Sequence, residues 1–298
     1  MQFCNRSGFT HTLYREARLT KISIYIDQTL FTEFLYSDTL YKQVLYPIYT
    51  ASGTEITRGY PARPKADERT DHPHQMGLWF SFGSINGLDF WNNSNRIPLD
   101  KKEHYGIIRF TGIKNINEKE NQFTVEANWT NHNGYILLKE KPPTHYKRTT
   151  TLTAFNDSIF ITENKEGLLG MRLDRNLEAD ISGIYQNKEG DTGNDVWGKR
   201  SAWVVLNGKI KDEKISIAII DHPENPNYPV GRMHVNTACL RLITWEDGVS
   251  INRRKSSNPA KKRGFHHFHP SDFDKGRRLS FQPGNRKYFC STEIPIKN

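Results

Sequence analysis

The sequence has few cysteines, no long apolar run and no extended helical pattern. Its three cysteines, Cys4, Cys239 and Cys290, are far apart among 298 residues, so their spacing matches neither a zinc site nor a disulfide framework. The longest apolar stretch, 215–220, is interrupted by a serine, whereas crossing a bilayer takes about 20 apolar residues. The sequence therefore predicts neither a membrane span nor a cysteine-bound metal.

The first residues also lack the apolar core of a secretory signal, since residues 1–6 read MQFCNR. As written, this start predicts a cytoplasmic protein. An exported protein would require that the natural start has been trimmed or misassigned.

The net charge of +9 is concentrated in one segment, 252–278. Nine lysines or arginines against two aspartates give this segment a charge of +7 and leave +2 for the rest of the chain. A basic stretch can bind nucleic acid or an anionic surface. Because no recognisable nucleic-acid-binding fold accompanies it, we interpret the segment as a solvated loop and do not expect nucleic acid as a partner. No feature predicts an oligomeric state.

Short alternating patterns of apolar and polar residues recur along the chain and predict an all-β fold. They lie at 22–26 and 123–129, a threonine-rich segment at 148–155 runs into an extended one at 159–162, and 202–206 and 214–220 are further predicted strands. Asn207-Gly208, between the last two, is a strong hairpin signal, whereas 12–19 could form a short helix. Many strands with short turns predict a large antiparallel β-sandwich, and the absence of a clear linker predicts that 1–298 form a single domain.

The most informative stretch of the sequence begins at Asp71-His72-Pro73-His74-Gln75. Proline biases the preceding residue toward an extended backbone, and in an extended chain His72 and His74 would point to the same side. Leu78, Phe80 and Phe82 follow with the same alternation, which predicts the core face of a strand. Two imidazoles on one face can transfer protons, bind a metal or hold polar groups of a ligand.

Polar and aromatic residues close to the histidines in sequence suggest a ligand site. Arg58 and Asp89 could hold hydroxyl groups or a carboxylate, and an exposed indole of Trp79 or Trp91 could stack on the C–H face of a sugar. The alternative is that the histidines belong to the core and bond backbone carbonyls, and that both tryptophans are core residues.

Two later clusters offer further candidates. Glu166 stands between Lys165 and Gly167, with Arg172 close behind; a carboxylate beside cations can act as a general acid or base, although an exposed turn with an incidental ion pair is the alternative. His222 and His234 flank a proline-rich loop. Together with His72 and His74 they could supply nitrogen ligands to a divalent metal, but their spacing matches no metal motif.

Several motifs in the right order resemble a family of soluble bacterial proteins that carries the label methane oxygenase PmoA. They include TDHPHQMGLWF at 70–80 and NGLDFW at 86–91, and the others lie at 45–48, 53–61, 162–167, 197–204 and 219–226. The resemblance spans about 20–235 of the chain and leaves 236–298 divergent. Gln75 stands where the family often has a third histidine. The resemblance implies a galactose-mutarotase-like supersandwich and the company of polysaccharide-degrading bacteria, whose related proteins often carry export signals.

Together these observations predict a carbohydrate-active protein that acts on a sugar or modified glycoside by acid–base chemistry. His72, His74 and Glu166 are the predicted proton-transfer groups, while Arg58, Trp79, Asp89, Trp91, Arg172 and His222 are predicted to bind the substrate. No cofactor is required, although a divalent metal on the histidines is possible. A non-catalytic glycan-binding module and a metal-dependent oxygenase are the alternatives. We expect the loops 67–75, 163–172 and 221–234 to converge in a concave pocket of the usual ligand-site type. His72 or His74 should then lie within about 10 Å of Glu166 or of His222 or His234.

Overall fold

A computed structural model describes most of the chain. The described residues are 11–15, 20–117, 122–141, 143–144, 148–156, 158–162, 164–223, 225, 228–229, 238–242, 249–251 and 286–293. The basic segment 252–278 and His234 lie outside the described residues, as does much of the loop 221–234.

Eighteen strands and three short 3-10 helices make up the regular structure of the described part of the chain. The strands are β1 His11–Arg15, β2 Lys21–Ile26, β3 Thr29–Leu35, β4 Val44–Ile48, β5 Leu78–Phe82, β6 Ile107–Asn117, β7 Gln122–Thr130, β8 Ile136–Lys141, β9 Pro143–Thr144, β10 Arg148–Ala154, β11 Ile159–Ile161, β12 Gly167–Arg172, β13 Ile184–Asn187, β14 Trp203–Ile210, β15 Glu213–Asp221, β16 Cys239–Leu242, β17 Val249–Ile251 and β18 Arg286–Glu293. The helices are Leu99–His104, Arg175–Leu177 and Gly193–Val196. Among the described residues, no helix has the length and hydropathy that crossing a bilayer requires.

The strands form two large antiparallel sheets and one small one. The first has seven strands in the order β1-β2-β3-β4-β5-β12-β16. The second has nine, in the order β13-β14-β15-β18-β10-β8-β7-β6 with β9 beside β10 and β7, and β11 pairs with β17 alone. The prediction of an all-β antiparallel sandwich is confirmed.

The core lies between the two large sheets. Leu78, Phe80 and Phe82 of β5 are buried as predicted, and the rings of both phenylalanines lie about 6 Å from the indole of Trp129 on β7, at 6.1 and 5.8 Å. Phe123, whose alternation predicted a half-buried strand, is buried as well. This core fixes β5 and β12 side by side, so the alternate residues of these strands face away from it.

Two local predictions are wrong. Asn207-Gly208 is not a turn: it lies inside β14, paired with Ser216 and Ile215, and the hairpin turns four residues later, where Ile210 pairs with Glu213. The glycine serves packing instead, because a Cβ at Gly208 would lie 2.7 Å from Leu177 Cδ2.

The second error concerns 12–19, for which a short helix was considered. Residues 12–15 belong to β1, which pairs with β2 along its whole length. Residues 16–19 lie outside the described residues. Pairing with a neighbouring strand overrides a weak local helical preference.

The outer face of the seven-stranded sheet, opposite the core, carries the residues of interest. Trp79 of β5, Gly170 of β12 and Arg241 of β16 stand in register across three neighbouring strands. The loop between β4 and β5, 49–77, and the loop between β5 and β6, 83–106, connect the strands beside this face. Because loops positioned by a rigid sheet commonly carry functional residues, we expect a functional site on this face.

Candidate functional site

Arg58 holds the first loop in place. Its guanidinium donates five hydrogen bonds: Nη1 to Asp71 Oδ1 (2.8 Å), Asp71 O (3.0 Å) and Arg69 O (3.2 Å), and Nη2 to His72 O (3.1 Å) and Gln75 O (2.9 Å). Its side chain is 2% exposed. Arg58 was predicted to hold a substrate, but its Nη groups are occupied by the loop, so its task is to shape the site.

Asp71 joins two arginines to a histidine. One carboxylate oxygen, Oδ1, accepts from Arg58 and, at 2.9 Å, from Nη2 of Arg172. The other oxygen, Oδ2, lies 3.2 Å from Nδ1 of His72. Burial alone would raise the pKa of Asp71, but Arg172, His72 and Arg58 outweigh it and lower the pKa. Asp71 is therefore a stable anion that can orient the imidazole of His72.

The backbone at His72 is not extended, contrary to prediction. Its φ is +46°, and its carbonyl accepts both the Gln75 N–H at 2.9 Å and the Arg58 guanidinium. These bonds close a turn with Pro73 at its second position, which proline's fixed φ suits. The strand begins only at Leu78. The turn nevertheless brings His72 and His74 together, with their ring centroids 5.6 Å apart.

The two histidines differ in environment. The side chain of His72 is 52% exposed, whereas that of His74 is mostly covered. Burial, with smaller contributions from Lys42, His72, Arg241 and Arg58, lowers the pKa of His74 to about 2. The imidazole of His74 is therefore neutral at physiological pH and accepts a proton only with difficulty. Of the two predicted proton-transfer histidines, the geometry favours His72.

Lys42 is a buried cation beside the histidines. Its side chain is buried, and Nζ donates to the carbonyl of Trp91 at 2.8 Å. An ammonium group has three N–H donors, and this is the one hydrogen bond that Nζ makes to the described residues. Burial lowers the pKa of Lys42 to about 7, although Asp89 opposes the shift. A nearby anion would favour its charged form.

Glu166 is paired with Arg241. Nη1 of Arg241 donates to Oε2 of Glu166 in a close contact, and the two side chains are 6% and 14% exposed. Arg241 also lies 6.0 Å from the ring of Trp91 and is among the charges that lower the pKa of His74. The loop 67–75 and the segment 164–172 are joined directly by Arg172, which bonds Gln75 and Asp71. Whether 221–234 joins them stays a prediction, because that loop is described only in part.

Trp79 and Trp91 were predicted to offer an indole face to a sugar, and this prediction is wrong for the described structure. Both are completely buried and pack edge to face, with ring centroids 5.1 Å apart. They sit over Gly170, where a Cβ would lie 2.3 Å from Trp79. Neither ring is open for stacking, but each still has an indole N–H to donate.

Two other predicted binding residues have different positions. The Asp89 carboxylate accepts from the backbone N–H of Trp91 at 2.8 Å and of Asn92 at 2.9 Å, so it holds its own loop. His222 follows β15 in the nine-stranded sheet, and its carbonyl accepts the Asn225 N–H at 2.8 Å. Its part in a site stays a prediction. Arg172 remains at the site, with Nη1 on Gln75 Oε1 at 2.6 Å and Nη2 on Asp71.

The residues described above form a buried cluster that consists of Lys42, Arg58, Asp71, His72, His74, Trp79, Trp91, Glu166, Arg172 and Arg241. Unpartnered buried groups are concentrated in it. Among the described residues, nine buried side-chain N or O atoms lack a hydrogen-bond partner, and six of them are nitrogens of the cluster: Nε of Arg58, Arg172 and Arg241, Nε1 of Trp79 and Trp91, and Nε2 of His74. A buried donor without an acceptor costs about 1–3 kcal/mol. Such costs are tolerated mainly where a ligand, ion or water supplies the missing acceptor.

The donor set is poorly suited to a metal. Within the described part of the chain, no three His, Cys, Asp or Glu side chains come together as a metal site would require. His72 and His74 form a pair, but the charges acting on His74 include Lys42, Arg58 and Arg241, and a divalent cation would be repelled by them. The fourth metal candidate, His234, lies outside the described residues.

A protein-family model matches residues 21–279 of the chain. The chain belongs to this family, the family of unknown function DUF6807. No curated protein and no solved structure matches the chain. The DUF6807 match includes Lys42, the loop 67–75, Glu166 and Arg241, so the whole cluster belongs to the family's region. The resemblance to the family labelled PmoA stays a prediction.

Two members of the cluster escaped the sequence reasoning. Lys42 stands in a short polar segment, Tyr41-Lys42-Gln43, that carries no motif. Arg241 could have been predicted, because Leu240 and Leu242 alternate with it as in a strand. This alternation places Arg241 on the face opposite the two leucines.

The pKa of His74 predicts how stability depends on pH. The unfolded state takes up a proton near pH 6.5, whereas the folded state resists it until about pH 2. Stability is therefore fully present above pH 6.5 and falls as pH decreases, by about 1.4 kcal/mol per pH unit from this group. His74→Gln should remove this slope, so that between pH 6.5 and 5 urea unfolding shows wild type losing about 2 kcal/mol more than the variant.

His104→Gln is the matched control. It removes an exposed histidine, 71% exposed at the side chain, and leaves the buried one in place, so it should keep the wild-type slope. Equal pH dependence in wild type and His74→Gln would contradict the buried neutral imidazole.

Proposed function

We propose that the protein acts on a sugar or modified glycoside by acid–base chemistry, with His72 as the proton-transfer group. The observation that carries this proposal is the His72–Asp71 pair at the exposed edge of a buried cationic cluster. The side chains of His72 and Asp71 are 52% and 35% exposed, whereas those of Arg58 and Arg172 are 2% and 1% exposed. A ligand can reach the pair from solvent while the arginines hold it from below.

Asp71 suits the imidazole to proton transfer. If Nδ1–H of His72 donates to Oδ2, at the 3.2 Å separation observed, then Nε2 carries the lone pair and faces away from the carboxylate. Such orientation by a carboxylate is the usual way in which a histidine base is kept in one tautomer. Arg58 and Arg172 keep Asp71 anionic, so it remains an acceptor throughout the reaction.

The other two predicted proton-transfer groups take supporting roles in this proposal. His74 stays neutral and can donate or accept a hydrogen bond from a ligand hydroxyl through Nε2, which has no partner among the described residues. Glu166 is engaged with Arg241 and orients that guanidinium toward the tryptophan pair. Arg172, at the end of β12, holds the histidine-bearing loop 67–75 through Asp71 and Gln75.

Two observations support a sugar as the ligand: the unpartnered hydrogen-bond donors of the site and the family resemblance described above. Sugars are bound through many directed polar contacts, and this cluster has several buried donors without acceptors. A metal-dependent oxygenase is less well supported, because the groups around His74 are cationic.

A panel of glycosides tests the proposal. Wild-type protein is incubated with nitrophenyl glycosides and free oligosaccharides of neutral and acidic sugars, and the products are followed by absorbance and proton NMR. Formation of a hydrolysed, eliminated or epimerised product supports the proposal. Binding without any product would instead support a glycan-binding module, and absence of both would overturn a role on sugars.

A further inference from the structure

We propose that the ligand of this site carries a carboxylate, as an acidic sugar does, and that Lys42 and Arg241 bind it beneath His72. The inference rests on the proposed function for the sugar, and on the chemistry of the buried cluster for the acid. Nothing in the family description assigns a ligand or a site.

The buried atoms of the cluster that lack hydrogen-bond partners are of one kind. The unpartnered atoms of the cluster are nitrogens, and those of the arginines and tryptophans can only donate hydrogen bonds. Trp79, Trp91 and Arg241 are all at least nine-tenths buried. A neutral hydroxyl offers both a donor and an acceptor, whereas a carboxylate offers acceptors alone. A set made up so largely of donors is therefore complementary to an anion.

Lys42 and Arg241 are connected to each other through the tryptophan pair. Lys42 contacts Trp91 through its carbonyl, Arg241 lies 6.0 Å from the Trp91 ring, and Trp91 packs on Trp79. His74 is close enough to Lys42 and Arg241 to feel both charges, and its ring is 5.6 Å from that of His72. Lys42 and Arg241 are 4% and 5% exposed, whereas the side chain of His72 is 52% exposed. The two cations are therefore buried, and His72 is the solvent-facing member of the cluster.

The charge balance of the cluster favours one negative charge. When Lys42 is protonated, four cations meet three carboxylates in and beside the cluster: Lys42, Arg58, Arg172 and Arg241 against Asp71, Glu166 and Asp89. The balance of four against three is then +1, and a bound anion would favour the protonated form of Lys42. A carboxylate supplies one negative charge, whereas a phosphate monoester carries about −1.5 to −2 at pH 7.

Lys42 differs from the three arginines of the cluster, because the arginines have carboxylate partners that explain them as structural residues. Asp71 compensates Arg58 and Arg172, and Glu166 compensates Arg241, each by direct contact. Within the described residues, Lys42 makes no such ion pair, and its ammonium bonds only a carbonyl. A second buried lysine, Lys102, shows the contrast, because its Nζ donates to Tyr41 Oη, Asn93 Oδ1 and Ser94 O.

Titration calorimetry with two matched sugars tests the inference. The probes are methyl β-D-glucuronide, methyl β-D-glucoside and inorganic phosphate, each added to the full chain at pH 6.5. We expect the glucuronide to bind at least 10-fold more tightly than the glucoside and more tightly than phosphate. Lys42→Met should abolish the preference for the glucuronide, whereas Lys102→Met, which removes the other buried ammonium, should keep it.

The unfolding midpoint of each variant is measured first, and Lys42→Gln replaces Lys42→Met if the latter does not fold. Equal binding of the two sugars, an unchanged preference in the Lys42 variants, tighter binding of phosphate, or no binding at all would overturn the inference. Because binding is measured without turnover, the two proposals can fail separately. Turnover of neutral glycosides alone would leave the proposed function standing, and glucuronide binding without turnover of any glycoside would remove only the catalytic part.

Discussion

Replacing Arg58 by methionine is expected to lower the free energy of unfolding by about 3–5 kcal/mol, the range found when one partner of a buried ion pair is removed. Methionine fills much of the space of the arginine stem but donates no hydrogen bond. The variant would leave the Asp71 carboxylate without one of its two cations and would remove the guanidinium donor from the carbonyls of Arg69, His72 and Gln75. The His72 carbonyl would keep only the Gln75 N–H. Urea unfolding at pH 7 measures the change.

Arg63→Met provides the control for this variant. Arg63 belongs to the same loop, but its side chain is 56% exposed and its nearest carboxylate contact, to Glu55, is 3.5 Å long. An exposed pair of this kind contributes about 0–1 kcal/mol. If Arg58→Met were no more destabilising than Arg63→Met, Arg58 would not be the residue that shapes the loop.

Asp71→Asn is expected to have the largest combined effect on stability and rate. The amide oxygen can still accept from Arg58 and Arg172, so we expect a loss of about 1–3 kcal/mol in the free energy of unfolding rather than collapse. The amide nitrogen cannot accept from Nδ1–H of His72. His72 would then lose its orientation, and kcat should fall by about 10²- to 10⁴-fold on any glycoside that the wild type converts.

Asp180→Asn is a matched control for Asp71→Asn. Asp180 also faces two arginines, Arg175 at 3.2 Å and Arg69 at 3.9 Å, but its side chain is 52% exposed. We expect a change below about 1 kcal/mol in stability and an unchanged kcat. An Asp71→Asn variant that kept the wild-type kcat would show that the carboxylate has only a structural role.

The strands of this protein were largely predictable because their signal is local. Alternation at 22–26 and 123–129 predicted β2 and β7, since one face of each strand packs on the core and the other does not. The turn predicted at Asn207-Gly208 was wrong because this dipeptide lies inside the β14–β15 hairpin, where both residues pair with β15. The register of β14 and β15 is set by pairing along the whole hairpin, which no dipeptide reports.

The site was predictable in part. His72, His74, Glu166 and Arg172 were chosen from residue type and spacing, whereas Asp71 was not. The structure joins the loop 67–75 to Arg172 through Asp71 and Gln75, and it pairs Glu166 with Arg241. The extended backbone at His72 was wrong because Arg58, distant in sequence, draws the His72 carbonyl into a turn. Trp79 and Trp91 were considered for stacking because an exposed indole face commonly binds a sugar. Residue type does not reveal that Trp91, from the loop 83–106, packs against Trp79 on the outer face and that both rings are buried.

The most direct test of the account is kcat of His72→Gln on a glycoside that the wild type converts, compared with His104→Gln. His104 is also an exposed histidine next to a carboxylate, Glu103 at 3.7 Å, but it lies in a separate loop. The account predicts that kcat falls by about 10²- to 10⁴-fold in His72→Gln, with KM changed far less, and that His104→Gln matches the wild type. A His72→Gln variant within 10-fold of wild-type kcat would contradict it.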